Sequence, residues 1–336
     1  MRKLLPAVAL AMVHIAGDNL GIVPDFAVYY GKDMYWIIVV AYIVLGSLVA
    51  GVAAWVGSRS GIEIGVLVRR MFGCRGKRLL AIAILAVSVP ASAVTGGYYA
   101  GLVLARLSGI PYLWAAIICL GVVSVLASGR WQEFLRVANY GSFLMVPGVL
   151  LLAVIVSDYS LTSVAKPVLS DWQLVLALFS YNAGGMRPAV VAEAAGYLAL
   201  KGYKPVVFAV VAKVVEGIFT IVIVYLALNV PVQGPLVLAQ IATFNFGCGA
   251  FVFELVLLCV FIMAMTPAML VNARQIGILT GAGFSTSLYI AVFFVYLASL
   301  AQLQVILVFM GISGLFMVGY LGYIAYHLHK LNLKKL

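Results

Sequence analysis

HIAGDNLGIVPDF occupies residues 14–26, inside a stretch otherwise apolar enough to cross a bilayer. It holds Asp18 and Asp25 together with His14, Asn19, Gly17, Gly21 and Pro24. A carboxylate at bilayer depth is costly, and intramembrane acids are retained where they serve a function. Glycine lets the backbone unwind and proline lacks a helix N–H, so peptide groups freed there must face protein or a cavity. The stretch reads as a membrane helix interrupted at a site.

The rest of the chain supports that reading. Of 336 residues, 65% are hydrophobic and 9% charged, with a mean hydropathy of +1.17. A soluble domain carries about 25% charged residues. Ten apolar runs are predicted as spans, at residues 4–29, 34–57, 79–107, 111–128, 134–156, 172–200, 204–229, 249–274, 284–302 and 304–327, each near the ~20 residues that cross the hydrocarbon core. The fold class expected is an all-α integral membrane protein whose direct environment is the lipid bilayer.

The net charge of +11 does not signal nucleic acid. Arg2, Lys3, Arg59, Arg69, Arg70, Arg75, Lys77, Arg78, Arg130, Arg136, Lys201, Lys204, Arg274, Lys330, Lys334 and Lys335 all fall on the side that also holds both termini. Lys32, Lys166 and Arg106 fall on the other. That asymmetry orients the chain with both termini cytoplasmic, as expected of a multi-pass cell-membrane protein. Trp36, Trp114 and Trp172 sit at predicted outer ends, and Trp55 and Trp131 at inner ends, as an interfacial aromatic belt requires. The basic, apolar start MRKLLPAVALAMV resembles a signal peptide, but apolar character continues to about Tyr30, so a retained first span is expected.

Cys74, Cys119, Cys248 and Cys259 lack metal-ligand spacing, and no nucleotide loop, HExxH or GxSxG is present. No enzyme and no resident cofactor are expected. Nothing in the sequence sets an oligomeric state.

SDYSLTSVAKPVLSD, residues 157–171, divides the ten spans into two fives. The first repeat covers 1–156, the linker is extracellular, and the second repeat covers 172–336 with a short cytoplasmic tail. An odd number of spans per repeat forces opposite orientations. The first span of the second repeat is interrupted too, at YNAGGMRP, residues 181–188. Paired broken segments in corresponding positions of an inverted repeat point to a transporter site at the midplane.

Layout and motif together resemble a known family. The five-plus-five arrangement with broken helices 1 and 6 resembles the leucine-transporter-type fold of the amino acid–polyamine–organocation superfamily. GSRSGIEIGVLVRRMFGCRG, residues 57–76, resembles the loop after the second span of nucleobase–cation symporters, the cytosine and purine permeases, through Gly57, Arg59, Ser60, Gly61, Arg69 or Arg70, Phe72, Gly73 and Gly76. FSYNAGGMRPAVVAEAAGY is similar to that family's broken sixth span. The resemblance implies a permease that symports a small molecule with a cation by alternating access. The family's usual third-span Trp is absent; Tyr98 and Tyr99 are the aromatics available to stack on a base. The eighth span shows MTPAMLVN, where the family tends to have paired threonines.

At the first break, Asp18, Asn19 or carbonyls between Ala16 and Asn19, including Gly17, are expected to contact substrate or cation; Asp18 is also placed to cap the outer half-helix. At the second, Tyr181, Asn182, Ala183, Gly184 and Gly185 form the candidate site, the aromatic stacking on a planar solute while the amide donates and accepts. By resemblance, a sodium site would use Ala16, Asn19 and Thr266, making Na⁺ a candidate coupling ion; oxygen ligands suit that hard cation. Proton coupling through Asp18, Glu193 or Glu216 is the alternative. His14, four residues before Asp18, is either a proton carrier or a neutral ring bonded to a carbonyl.

Arg187 is expected to pair with an acid or line the inner vestibule, Asp25 to line the outer one, and Lys213 with Glu216 to form a structural i,i+3 pair. Glu254 has no partner evident in sequence. GPLVLAQIATFNFG, residues 234–247, is either a gate over the outer vestibule or a plain loop with an interfacial helix. The function expected is uptake of a small planar polar solute such as a nucleobase, with an amino acid or other small-solute symporter of the same fold as the alternative; a channel and a membrane enzyme are the readings from other classes.

Overall fold

The computed structural model describes residues 18–61, 64–128, 149, 169–184, 187–200, 202–229, 232 and 235–333. Every regular element among them is helical. A π-helical segment, Asp18–Ile22, runs into α1 (Val23–Tyr30), which has proline in its first turn, where its missing N–H costs nothing. Then α2 (Asp33–Ile38) continues through π-helical Val39–Gly46 into α3 (Ser47–Ser60). Next, α4 (Ile64–Ser92) passes through π-helical Ala93–Tyr99 into α5 (Ala100–Ser108), and α6 spans Tyr112–Ser128. The second half holds α7 (Asp171–Ala183), α8 (Arg187–Leu200), α9 (Pro205–Leu228), α10 (Val237–Phe246), α11 (Ala250–Thr280), α12 (Phe284–Ser299) and α13 (Leu303–Leu333).

Among the described residues, five helical stretches are long and apolar enough to span a membrane: 33–60, 64–108, 205–228, 237–280 and 303–331. α7 and α8, bent by 41° at a short break, form a sixth. α6 and α12 are shorter apolar helices. The chain is thus a multi-pass, all-helical membrane protein. Of the expected spans, 134–156 and the first part of 4–29 lie outside the described residues. Exposed apolar side chains recur at helical spacing, as Val207, Val211, Val215 and Ile218 do along α9, which is the pattern of a face turned to lipid.

The helix over residues 64–72 meets the one that leads into the third span at a kink, Gly73 (φ 71°, ψ −164°), a backbone region that favours glycine. The uncharged stretch 234–247 carries a helix, α10, as one of its two sequence readings allowed, bounded by Leu236 (φ 63°) and Gly247 (φ 54°).

The helices have two cores. Ala93, Leu120, Val123, Ala127, Met265, Met269, Ala273, Ile276, Leu288, Ala291 and Val295 form a separate cluster. Its members lie on the π-helical segment before α5, α6, α11 and α12, with Leu85 and Val89 of α4 packed against it. A larger cluster runs through the remaining helices and takes in α6 and α11 as well, through Cys119, Leu257 and Phe261. In it α8 and α9 pack against α3, and α13 against α7. Gly57 lets α3 meet α8 closely, since a Cβ there would collide with the Ala192 carbonyl. The 57–76 motif is built into this packing. Phe72 stacks on Tyr323 of α13 at 5.2 Å and meets the edge of His327, while the Tyr320 hydroxyl donates to the Gly76 carbonyl at 3.0 Å. Arg59, Arg69, Arg70, Arg75 and Arg78 project from the same region, exposed. The four cysteines are free thiols.

Candidate functional site

The break in the sixth span is narrower than its sequence suggests. A capping box, with Ser170 accepting from the Gln173 N–H at 3.3 Å and the Gln173 side chain accepting from the Ser170 N–H at 2.9 Å, starts α7 firmly. The helix then carries Tyr181, Asn182 and Ala183 as its last turn and ends at extended Gly184 (φ −93°, ψ −170°). The carbonyls of that last turn lack the partners that a continuing helix would supply, and they form the negative end of the helix dipole. The Asn182 carbonyl accepts from Arg187 Nη1 at 2.7 Å and from Lys213 Nζ at 3.1 Å. Two cations therefore converge on one freed peptide oxygen.

The focus of the cluster is Glu216, wholly buried on α9. Its Oε2 accepts from Lys213 Nζ at 2.7 Å. Its Oε1 accepts from Asn182 Nδ2 at 2.7 Å and Asn19 Nδ2 at 3.3 Å, with Arg187 Nη1 at 3.6 Å. Lys213 Nζ also donates to Asn182 Oδ1 at 2.8 Å. One turn along α9, Thr220 Oγ1 lies 3.0 Å from Asn19 Oδ1 and 2.7 Å from the Glu216 carbonyl, so its one proton has two acceptors. Asn19, Asn182, Glu216 and Thr220 are each 0% exposed and Lys213 2%. Buried charge persists only when paired and hydrogen-bonded, as here.

Gly46, at the end of the second π-helical segment, forms one wall of the cluster. A Cβ there would stand 3.1 Å from Asn182 Oδ1, close enough that the amide would have to give by a few tenths of an ångström. Asn19 belongs to the first π-helical segment and Thr95 to the third. All three such segments thus reach this region, and π-turns recur at functional sites.

The Tyr181 ring lies beside the charged cluster. The Arg187 guanidinium sits over its face, 5.5 Å from the centroid, a cation–π geometry. Its hydroxyl is bonded to that of Thr95 and donates toward the Ala91 carbonyl at 3.4 Å. Tyr99 is buried against Gly21 and stacked on Phe261 of α11 at 5.8 Å. Tyr98, half-buried, meets Tyr99 edge-on at 5.1 Å. The third span therefore brings one enclosed tyrosine and one partly open one to the first span.

The expected site residues distribute as follows. Asn19, on the first π-helical segment, comes together with Tyr181 and Asn182 of the last turn of α7, which Ala183 and Gly184 close. Ala16, Gly17, His14 and Gly185 lie outside the described residues, as do the side chains of Asp18 and Glu193. Thr266 is buried on α11, its hydroxyl donating to the Ile262 carbonyl one turn back at 2.9 Å. Asn272 is spent on α4, accepting from Ser88 and donating to Ser92 at 3.2 Å. Arg187 pairs with an acid, Glu216. Lys213 and Glu216 do pair, but as the hub of the site. The signal for that role was three polar residues, Lys213, Glu216 and Thr220, on one face of an apolar helix.

Two acids thought to line or lack contacts are engaged. Asp25 is buried and accepts from the Leu236 and Val237 N–H groups at 3.2 and 2.9 Å, holding the start of α10 to α1. Glu254 accepts from Arg106 Nε at 2.9 Å. The same guanidinium donates to Thr243 of α10 at 2.8 Å. Among the described residues, no cluster of His, Cys, Asp and Glu could hold a metal ion.

No protein-family model matches the chain, and no curated protein sequence matches it. Solved structures do. The inward-facing conformation of Mhp1 is similar at TM-score 0.60 and 15% identity, over 87% of this chain and 68% of that one. Mhp1, a nucleobase-cation-symport-1 family transporter, in a closed conformation with bromovinylhydantoin bound, is similar at TM-score 0.60 and 15% identity, over 90% and 74%. The resemblance expected from residues 57–76 and the broken spans is thus present in the fold.

Proposed function

We propose that this chain is a secondary-active transporter that takes up a small planar polar solute, a nucleobase or related heterocycle, together with a cation. The observation that carries the reading is the meeting of both interrupted spans on Glu216, through Asn19 and Asn182. Polar groups at two breaks, joined at depth, are where a transporter of inverted repeats binds its cargo. Tyr181 supplies an aromatic ring with Arg187 over one face. The Asn182 amide beside it would exchange its bonds to Glu216 and Lys213 for the ring N–H and C=O groups of a heterocycle. The likeness to a transporter crystallised with a hydantoin supports the same class of solute.

The full architecture in this reading is ten spans in two inverted fives, residues 1–156 and 172–336 around the linker 157–171, with helices 1 and 6 broken and both termini cytoplasmic. Alternating access in this reading moves one packed group of helices against another around the site. Ion and solute shift the balance by binding one arrangement better than the other. A sodium ion would be held by carbonyls of Ala16 and Asn19 with Thr266. Asn19 has committed its side chain to α9, so only its backbone is offered there. The proton is the alternative coupling ion.

A thermal-shift screen of purified protein against nucleobases, hydantoins and amino acids, with and without Na⁺, tests the substrate class. Bound ligand stabilises the folded state by mass action. A heterocycle is expected to raise the melting temperature; a rise with amino acids alone would replace this assignment with the amino acid symporter.

A further inference from the structure

We propose that the ammonium of Lys213 is a tethered cation, filling an oxygen cage at the broken end of α7 that would otherwise take a free monovalent cation. Three oxygens of three chemical kinds surround Nζ: the Asn182 carbonyl at 3.1 Å, Asn182 Oδ1 at 2.8 Å and Glu216 Oε2 at 2.7 Å. Carbonyl, amide and carboxylate oxygens are the ligands by which proteins hold hard cations. The carbonyl comes from the last turn of a helix, where the peptide oxygens carry the negative end of the dipole.

An ordinary i,i+3 pair would set the ammonium on Glu216 alone. Here the ammonium also reaches across to another helix, to both oxygens of Asn182, at the point where that helix stops. Lysine suits the position because its charge is compact and carries three protons. Arg187 binds the same carbonyl from the other side at 2.7 Å, but its planar fork does not fit inside a cage. These oxygens are then already taken by the ammonium and are not offered to a metal ion in the native chain. The consequence for coupling, that a transported cation must bind elsewhere, rests on the transport reading above; the filling of the cage does not.

The test removes the tether and supplies a free cation. Full-length Lys213→Ala is purified in detergent in choline chloride and in methylammonium chloride at equal ionic strength. Methylammonium carries the missing head group, and choline is too large for the cage. The expected result is a saturable rise in melting temperature of roughly 2–4 °C or more in methylammonium over choline, or recovery of folded protein there alone, with no difference for the native chain. Equal behaviour in both salts, whether folded in both or in neither, overturns the proposal. Lys213→Met supplies a second reading. It fills the stem's space without charge, so it is expected to melt below the native protein and to ignore methylammonium. A Met variant as stable as the native chain also overturns it. Neither measurement involves transport, so their failure leaves the uptake reading standing, and a failed uptake experiment leaves the cage standing.

Discussion

Asn19 and Asn182, 163 positions apart on the two interrupted spans, donate to the same carboxylate oxygen, Oε1 of Glu216, at 3.3 and 2.7 Å. The carboxylate lies on neither broken helix. It projects from α9 and ties the two breaks to each other and to Lys213, so whatever moves one break is felt at the other.

Glu216→Gln takes the negative charge from beneath two buried cations. Losing one member of such a network typically costs about 3–5 kcal/mol. Thermal unfolding in detergent is expected to show a loss of that size. The double variant Lys213→Met with Glu216→Leu, which removes buried charges of both signs, is expected to recover much of it, because apolar replacement of a buried pair is often near neutral.

Asp25→Ala removes the acceptor from two backbone N–H groups at the start of α10. A buried donor left unsatisfied costs about 1–3 kcal/mol. Hydrogen exchange over residues 236–246 is expected to quicken well beyond that of α11, whereas Asp25→Asn, which keeps one carbonyl oxygen, is expected to show a smaller change.

Arg106→Ala leaves the buried Glu254 carboxylate, 7% exposed, without its cation, and is expected to cost about 1–3 kcal/mol. Arg106→Lys is expected to be distinguishable from the native chain too, because an ammonium lacks the fork that reaches Glu254 and Thr243 together. Comparing melting temperatures of the two variants in low and high choline chloride checks this.

Gly57→Ala drives a methyl group into the Ala192 carbonyl and is expected to cost about 1–3 kcal/mol, the usual penalty of overpacking. Gly121→Ala is the control. No atom lies within 4 Å of a Cβ at that position, and alanine in place of a helical glycine is expected to be neutral or to stabilise by roughly 0.5–1 kcal/mol.

Much of this was legible in the sequence where local chemistry decided it. The spans show in hydropathy, and the breaks show because Asn19 and Asn182 stand beside glycines in apolar surroundings. Lys213 and Glu216 were visible as a pair, yet their role depended on Asn19, 197 residues from Glu216. Likewise Glu254 finds Arg106 at a separation of 148, and Asp25 finds α10 at more than 200. No periodicity marks contacts of that range. The π-helical turns were hidden too, since one extra residue per turn leaves an apolar stretch apolar. A helix within 234–247 was one of the two readings the sequence allowed, but its anchor was not legible, because that is a carboxylate from the first span.

The transport claim is tested most directly by uptake into proteoliposomes of the solute that raises the melting temperature, under an imposed cation gradient. Expected is saturable accumulation above the outside concentration, collapsed by an ionophore and lost in Asn182→Ala but kept in Gly121→Ala. A flux that neither saturates nor responds to the gradient, or uptake unchanged in Asn182→Ala, would contradict it.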